Sequence, residues 1–189
     1  MIKKREIFTT SNLLSFLRLL TAIPLWFLFN DFESSNVKVL ILLTGVLCML
    51  TDFLDGYLAR KRDEITEFGK IIDPLADKVV VGIVMLKLFL LSKIPDYYFW
   101  MIILRDIIIF LGGIYLTKKI GKVLPSNYIG KITVIVIAIV LLLVVAGLKN
   151  YNAFFISAYY LSIVLIFVSL FTYILRAIDY LKKKNYGTI

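Results

Sequence analysis

Four aspartates are the residues of this 189-residue chain best suited to chemistry. Asp52 and Asp55 are three positions apart, and Asp73 and Asp77 are four positions apart. On an α-helix, either spacing places both side chains of a pair on the same face. If the two helices are antiparallel neighbours, the end of the first lies beside the start of the second, and all four carboxylates converge.

Converging carboxylates repel one another, and without a cation at least one of them would stay protonated. A bound divalent ion removes this repulsion. Oxygen-only ligands favour hard ions, so magnesium, manganese or calcium is expected rather than zinc. Two ions shared by the four groups would form a clamp suited to displacement at phosphorus. The chain contains no histidine, so imidazole cannot act as a base or a ligand.

Small residues accompany the aspartates. Gly56 and Ala59 follow the first pair, and Gly69 precedes the second pair. They leave room for a ligand or another backbone to approach closely. The alternative is that the aspartates are interfacial charges paired with nearby basic residues, namely Arg60, Lys61, Arg62, Lys70 and Lys78. The helical pairing of all four aspartates favours a site.

The rest of the chain is apolar enough to predict a membrane protein. Its hydrophobic content is 60% and its mean hydropathy is +0.90, above the range of soluble domains. A helical span needs about 20 apolar residues, and six such spans fit. The predicted fold class is all-α integral membrane, a single domain over 1–189 with six transmembrane helices. A short interfacial helix over 1–11 precedes them, and a basic tail over 176–189 follows.

The basic residues predict the orientation of these spans. Most cluster beside predicted span ends at 3–5, 60–62, 118–122 and 182–184. By the positive-inside rule, both termini and the aspartates then lie at the cytoplasmic face of a bacterial or archaeal-type cell membrane. The net charge of +9 is therefore expected to face anionic lipid. Nucleic acid is not an expected partner, because the clusters lack interleaved aromatic residues.

The motif resembles that of a known enzyme family. It reads Asp52-x2-Asp55-Gly56-x2-Ala59-Arg60-x8-Gly69-x3-Asp73-x3-Asp77. At every specified position it is similar to the signature of the CDP-alcohol phosphatidyltransferases, membrane enzymes that move a phosphatidyl group from CDP-diacylglycerol to an alcohol. The resemblance implies a metal-dependent transferase that releases CMP.

The resemblance also implies roles for individual residues. Asp52, Asp55 and Asp73 would bind Mg²⁺ or Mn²⁺, with two ions expected. Asp77 would be the general base, also close to a metal. The donor nucleotide would lie against Asp52, Gly56, Ala59, Arg60, Gly69 and Asp73.

Within the family, three further segments look most like the phosphatidylglycerophosphate synthases, whose acceptor is glycerol 3-phosphate. They are Asn12–Leu14 with Arg18, Arg105–Ile108, and Ser126–Lys131. Arg105 and Lys131 are the candidate ligands for this anionic acceptor; the alternative is that they pair with Asp106 or with the motif carboxylates. After Lys131 the chain departs from that subfamily and reads Ile-Thr-Val, so phosphatidylglycerol and inositol phosphate remain alternative acceptors.

Two rival classes remain. A small divalent-cation transporter would spread its acidic residues through the depth of the bilayer. Here they group at one side, which favours the enzyme. A catalytically silent lipid-binding relative would lack motif carboxylates, and all four are present. We also expect a homodimer. Gly112 with Gly113 is a candidate for a close helix contact, either within the chain or at the dimer interface.

Overall fold

The structure is a computed structural model that describes residues 10–61, 69–120, 128–148 and 152–185. Within these ranges, the backbone alone is described at 10, 11, 52, 53, 55–61, 69–75, 77, 120 and 183–185. The predicted interfacial segment over 1–11 therefore lies almost wholly outside the described residues, and so does the loop that follows Lys61.

The described residues form helices and no strand, as predicted. Six α-helices lie within the described ranges: α1 Thr10–Leu28, α2 Ser35–Lys61, α3 Gly69–Leu90, α4 Asp96–Ile120, α5 Tyr128–Val145 and α6 Ala153–Asn185. A short 3-10 helix, Phe29–Asp31, follows α1. The last helix extends ten residues beyond the predicted span end at 175, so most of the basic tail is helical.

Four of these helices are long and apolar enough to cross a membrane. The spanning segments within the described ranges are Asn12–Asp31, Asp96–Lys119, Tyr128–Val145 and Ala153–Lys182. Among the described side chains, α2 contributes a shorter apolar stretch, Ser35–Thr51, and α3 contributes no stretch of spanning length. Large apolar side chains such as Phe27, Phe110 and Phe167 are exposed, which suits contact with lipid.

The contacts divide the chain into two compact units, on either side of the Leu91–Ser92 bond. In the first unit α1 packs against both α2 and α3, which contact each other much less. Buried residues of α1 recur every three or four positions, as in a helical stripe. They are Asn12, Ser15, Arg18, Ala22 and Leu25, and Phe29 extends the stripe into the 3-10 helix.

In the second unit α6 packs against α5 and α4. The Ser162 Oγ lies 2.8 Å from the Tyr98 hydroxyl, and the Ser169 Oγ accepts a hydrogen bond of 3.2 Å from the Arg105 Nε. From the first of these contacts to the second, the residue on α4 and the residue on α6 each advance by seven positions, so α4 and α6 run parallel. The Thr133 Oγ1 of α5 lies 2.7 Å from the carbonyl oxygen of Ile129 in its own helix and 3.2 Å from that of Leu165 in α6, so its one hydrogen is shared between the two helices.

Local signals explain where α5 ends and α6 begins. Gly147 has a φ of +79°, which glycine adopts without the strain a side chain would cause. Its N–H bonds to the Val144 carbonyl, and that of Leu148 bonds to the Leu143 carbonyl, which ends the helix. At the start of α6, the Asn152 side chain accepts from the backbone N–H of Phe154 at 2.9 Å and caps the helix.

Candidate active site

The four motif aspartates lie on two consecutive helices. Asp52 and Asp55 are in the last three turns of α2, and Asp73 and Asp77 are in the first three turns of α3. Helix α2 continues through the first pair to Lys61, and α3 begins at Gly69, four residues before Asp73. Along the helix axis, Asp52 and Asp55 are about 4.5 Å apart, and Asp73 and Asp77 are about 6 Å apart. The side chains of the four aspartates, of Ala59 and of Arg60 are not among those described, and Gly56 and Gly69 are described by their helical backbone alone.

The contacts of α1 set the level of these residues along the first unit. The Thr21 Oγ1 of α1 lies 3.5 Å from the Cys48 Sγ of α2, and these two helices are antiparallel because a short connection joins them. A residue three positions before Thr21 on α1 therefore lies at the same level as a residue three positions after Cys48 on α2. This register places Arg18 level with Thr51 and Asp52.

A second contact gives the register of α1 with α3. The Lys87 Nζ donates to the Asn30 Oδ1 at 3.1 Å and lies 4.0 Å from the centre of the Trp26 ring. Asn30 and Trp26 lie at the C-terminal end of α1, and Lys87 lies near the C-terminal end of α3. Because the two helices also pack extensively against each other, they run parallel. Counting the same number of residues toward the N-terminus on both helices places Arg18 level with the part of α3 that contains Asp77.

The beginning of α1 therefore presents a buried polar stripe at the level of the motif. Asn12 is 3% exposed, Ser15 is 0% exposed and Arg18 is 3% exposed, and each has an interaction partner. Sequence reasoning did not place these three side chains in the site. The available signal was their spacing of three residues in a helix that is otherwise apolar, which is costly unless the polar groups serve a partner or a ligand.

Arg105 lies buried in the second unit, and its side chain meets three acceptors from three helices. Its Nη1 donates to the Asp106 Oδ1 at 2.6 Å, its Nε to the Ser169 Oγ at 3.2 Å, and its Nη2 to the Gly130 carbonyl oxygen at 3.4 Å. The ion pair with Asp106 was the stated alternative to an acceptor-binding role, and it is present. Two of the five guanidinium N–H groups are not used in these bonds.

Lys131, the second candidate acceptor ligand, is adjacent in sequence to Gly130, one of the three acceptors of Arg105. It follows Gly130, where an added Cβ would lie 3.3 Å from the Arg105 Nη2, so glycine allows the guanidinium to approach α5. The Lys131 side chain is exposed. Thr133, in the segment that departs from the subfamily pattern, is 0% exposed and faces the backbone of α6. The other two residues of this segment, Ile132 and Val134, are exposed.

Among the described side chains, no group of three or more His, Cys, Asp or Glu residues could hold a metal ion. The four motif aspartates are outside that set. Their chemistry fits a hard divalent cation, because all four donors are carboxylate oxygens and the described backbone gives each pair a common helical face.

Several helices are apolar and of membrane-spanning length, and the charged motif residues are confined to the end of α2 and the start of α3. These features define a helical integral membrane protein. Comparison with protein families gives the particular group: the sequence model of the CDP-alcohol phosphatidyltransferases matches residues 8–175. The chain belongs to this family and is a phosphatidyltransferase, which confirms the resemblance of the motif.

Curated relatives cover most of the chain. A protein of Aquifex aeolicus is 39% identical over 177 residues, covering 91% of this chain and 93% of the relative. A protein of Rickettsia bellii is 29% identical over 164 residues, covering 86% and 88%. One of Treponema pallidum is 31% identical over 141 residues, covering 65% of each. All three are named CDP-diacylglycerol–glycerol-3-phosphate 3-phosphatidyltransferase.

Proposed function

We propose that this protein transfers the phosphatidyl group of CDP-diacylglycerol to glycerol 3-phosphate, forming phosphatidylglycerophosphate and CMP. The observation that carries the proposal is the 39% identity, over nine-tenths of the chain, to a relative named for this reaction. The shared name of the other relatives favours glycerol 3-phosphate over phosphatidylglycerol or inositol phosphate. The motif spacing supports the donor.

The motif aspartates perform the transfer. Asp52, Asp55, Asp73 and Asp77 would hold the divalent ions, and Mg²⁺ or Mn²⁺ bound there would offset the negative charge of the pyrophosphate. Asp77 accepts the proton of the acceptor hydroxyl. The hydroxyl oxygen then bonds to the phosphorus that carries diacylglycerol, and the bond from that phosphorus to the bridging oxygen breaks. The electron pair leaves with CMP.

Donor recognition involves the same end of the first unit. Gly56, Ala59, Arg60 and Gly69 line the nucleotide pocket by the family pattern. We add Arg18, because the helix register places this buried cation level with Asp52 and Asp77. A cation there offsets negative charge that the carboxylates and the pyrophosphate bring together.

Arg105 and Lys131 bind the acceptor. Glycerol 3-phosphate is a dianion near neutral pH, and Asp106 neutralises only one of these two cations. Within the described part of the chain, each terminal nitrogen of Arg105 keeps one N–H beyond its bond to Asp106 or Gly130, which suits two phosphate oxygens. The exposed ammonium of Lys131 supplies the remaining charge.

The membrane arrangement follows from the charge pattern. We propose six spans with both termini in the cytoplasm, with α2 and α3 crossing in spite of their charged ends. The active site then faces the cytoplasm, where a soluble phosphorylated acceptor is available. The homodimer remains a prediction.

An acceptor screen on the purified protein tests the proposal. CDP-diacylglycerol is supplied with Mg²⁺ or Mn²⁺ and with glycerol 3-phosphate, phosphatidylglycerol or inositol phosphate, and CMP and the lipid product are identified by mass. We expect product with glycerol 3-phosphate, its loss in Asp77→Asn, and its retention in Asp31→Asn, which changes a carboxylate outside the motif. Product with another acceptor alone would overturn the substrate assignment, and divalent-metal flux without CMP release would overturn the reaction.

A further inference from the structure

We propose that Ser169 is a positioning residue for Arg105, holding its guanidinium in the orientation that binds the anionic acceptor. This inference rests on the proposed role of Arg105 in acceptor binding. The two residues lie on different helices, 64 positions apart in the sequence, and are joined by the hydrogen bond from the Arg105 Nε to the Ser169 Oγ.

The direction of this bond is determined by the second bond of Ser169. The Ser169 Oγ donates its only hydrogen to the carbonyl oxygen of Ile166 at 2.9 Å. An oxygen lone pair is therefore left for Arg105, whose Nε can act only as a donor. Because Ser169 is 1% exposed, water cannot readily replace the hydroxyl.

The three acceptors around Arg105 determine the plane of its guanidinium together. Asp106 binds Nη1, Gly130 binds Nη2 at the long distance of 3.4 Å, and Ser169 binds Nε. Without Ser169, the strongest remaining partner is the Asp106 carboxylate, which can accept two N–H groups at once. The guanidinium would then rotate toward Asp106, and fewer of its N–H groups would face an incoming phosphate.

Ser162 provides a matched control on the same face of α6, two turns earlier. It is 0% exposed and its Oγ also bonds to the carbonyl three residues before it, at 2.6 Å. Its partner on α4 is the Tyr98 hydroxyl, at 2.8 Å, and not a cation. Removing either serine hydroxyl thus removes one backbone bond and one contact between α4 and α6, but only Ser169 touches Arg105.

Steady-state kinetics of the full-length protein test this inference, with KM for glycerol 3-phosphate measured at saturating CDP-diacylglycerol. We expect Ser169→Ala to raise this KM about ten-fold, as suits the loss of a hydrogen bond to a charged group, with kcat little changed. Ser162→Ala should leave it unchanged. Ser169→Thr keeps the hydroxyl and should restore most of the affinity. In an Arg105→Ala background, Ser169→Ala should have no further effect on KM.

Equal KM values in Ser169→Ala and Ser162→Ala would overturn the positioning role, as would a fall in kcat at constant KM. If Arg105→Ala raises KM while Ser169→Ala does not, the inference fails and the acceptor role of Arg105 survives. If Arg105→Ala leaves KM unchanged, the acceptor role fails and takes this inference with it. Thermal unfolding of each variant, followed by near-ultraviolet circular dichroism, separates these outcomes from a loss of folded protein.

Discussion

Tyr173 of α6 packs its ring directly against Gly112 of α4. A Cβ added to Gly112 would lie 3.0 Å from both the Cε1 and the hydroxyl oxygen of Tyr173, closer than side chains normally approach. The close helix contact expected at the glycine pair is therefore made within the chain, between α4 and α6. Gly113 has more room, since its Cβ would lie 3.6 Å from the same hydroxyl.

Gly112→Ala is expected to unfold at a lower temperature than Gly113→Ala. Both changes gain about 1 kcal/mol of helix propensity. At Gly112 the added methyl forces Tyr173 to shift, and overpacking of this kind costs about 1–3 kcal/mol. Thermal unfolding in detergent measures the difference. Identical midpoints would show that Tyr173 moves aside at no cost.

Tyr173→Phe is expected to leave stability unchanged or to increase it. The buried Tyr173 hydroxyl has no hydrogen-bond partner within the described part of the chain, and an unpaired buried hydroxyl costs about 1–3 kcal/mol. Tyr98→Phe is the control, because that hydroxyl bonds to Ser162 and its loss should cost about 1 kcal/mol. Tyr173→Phe should also reduce the penalty of Gly112→Ala. Destabilisation by Tyr173→Phe as large as that by Tyr98→Phe would contradict this reading.

The buried Lys87 ammonium depends on Asn30 and Trp26 for stabilisation. Asn30→Ala removes its 3.1 Å hydrogen bond and should cost about 1.5–3 kcal/mol, while Trp26→Leu removes the ring 4.0 Å away and should cost about 1–2 kcal/mol. In a Lys87→Met background both penalties should shrink, since no ammonium then needs a partner. Chemical unfolding of the unmodified protein, the two single variants and the double variant gives the coupling energy of Lys87 with Asn30 and, in a second cycle, with Trp26. Purely additive effects would show that the contacts do not stabilise the ammonium.

Removal of divalent metal should abolish CMP release. EDTA treatment is expected to inactivate the enzyme, and Mg²⁺ or Mn²⁺ should restore it because both prefer oxygen ligands. Asp55→Asn should raise the metal concentration that gives half-maximal activity at least ten-fold, since it replaces a charged ligand with a neutral one. The activity is followed as CMP formed per enzyme. Full activity in the presence of the chelator would contradict the assigned metal role.

The amino-acid sequence by itself determined the elements and the reaction class. Apolar runs of bilayer length predict the helices, and the motif residues from Asp52 to Asp77 predict the reaction class. Both predictions depend on local composition, which every residue carries with it. The motif spacing is equally local, because pairing of carboxylates on one helix face needs only the helical repeat.

Only the tertiary structure decided which distant residues meet. The Asp106 partner of Arg105 could be anticipated because it is adjacent in sequence, whereas Gly130 and Ser169 lie 25 and 64 residues away. The burial of Asn12, Ser15 and Arg18 at the level of the motif depends on the register of α1 against its neighbours. The partner of Gly112 depends in the same way on the packing of α4 against α6. Helix periodicity indicates which face is buried, but the residues opposite that face follow from how the helices pack against one another.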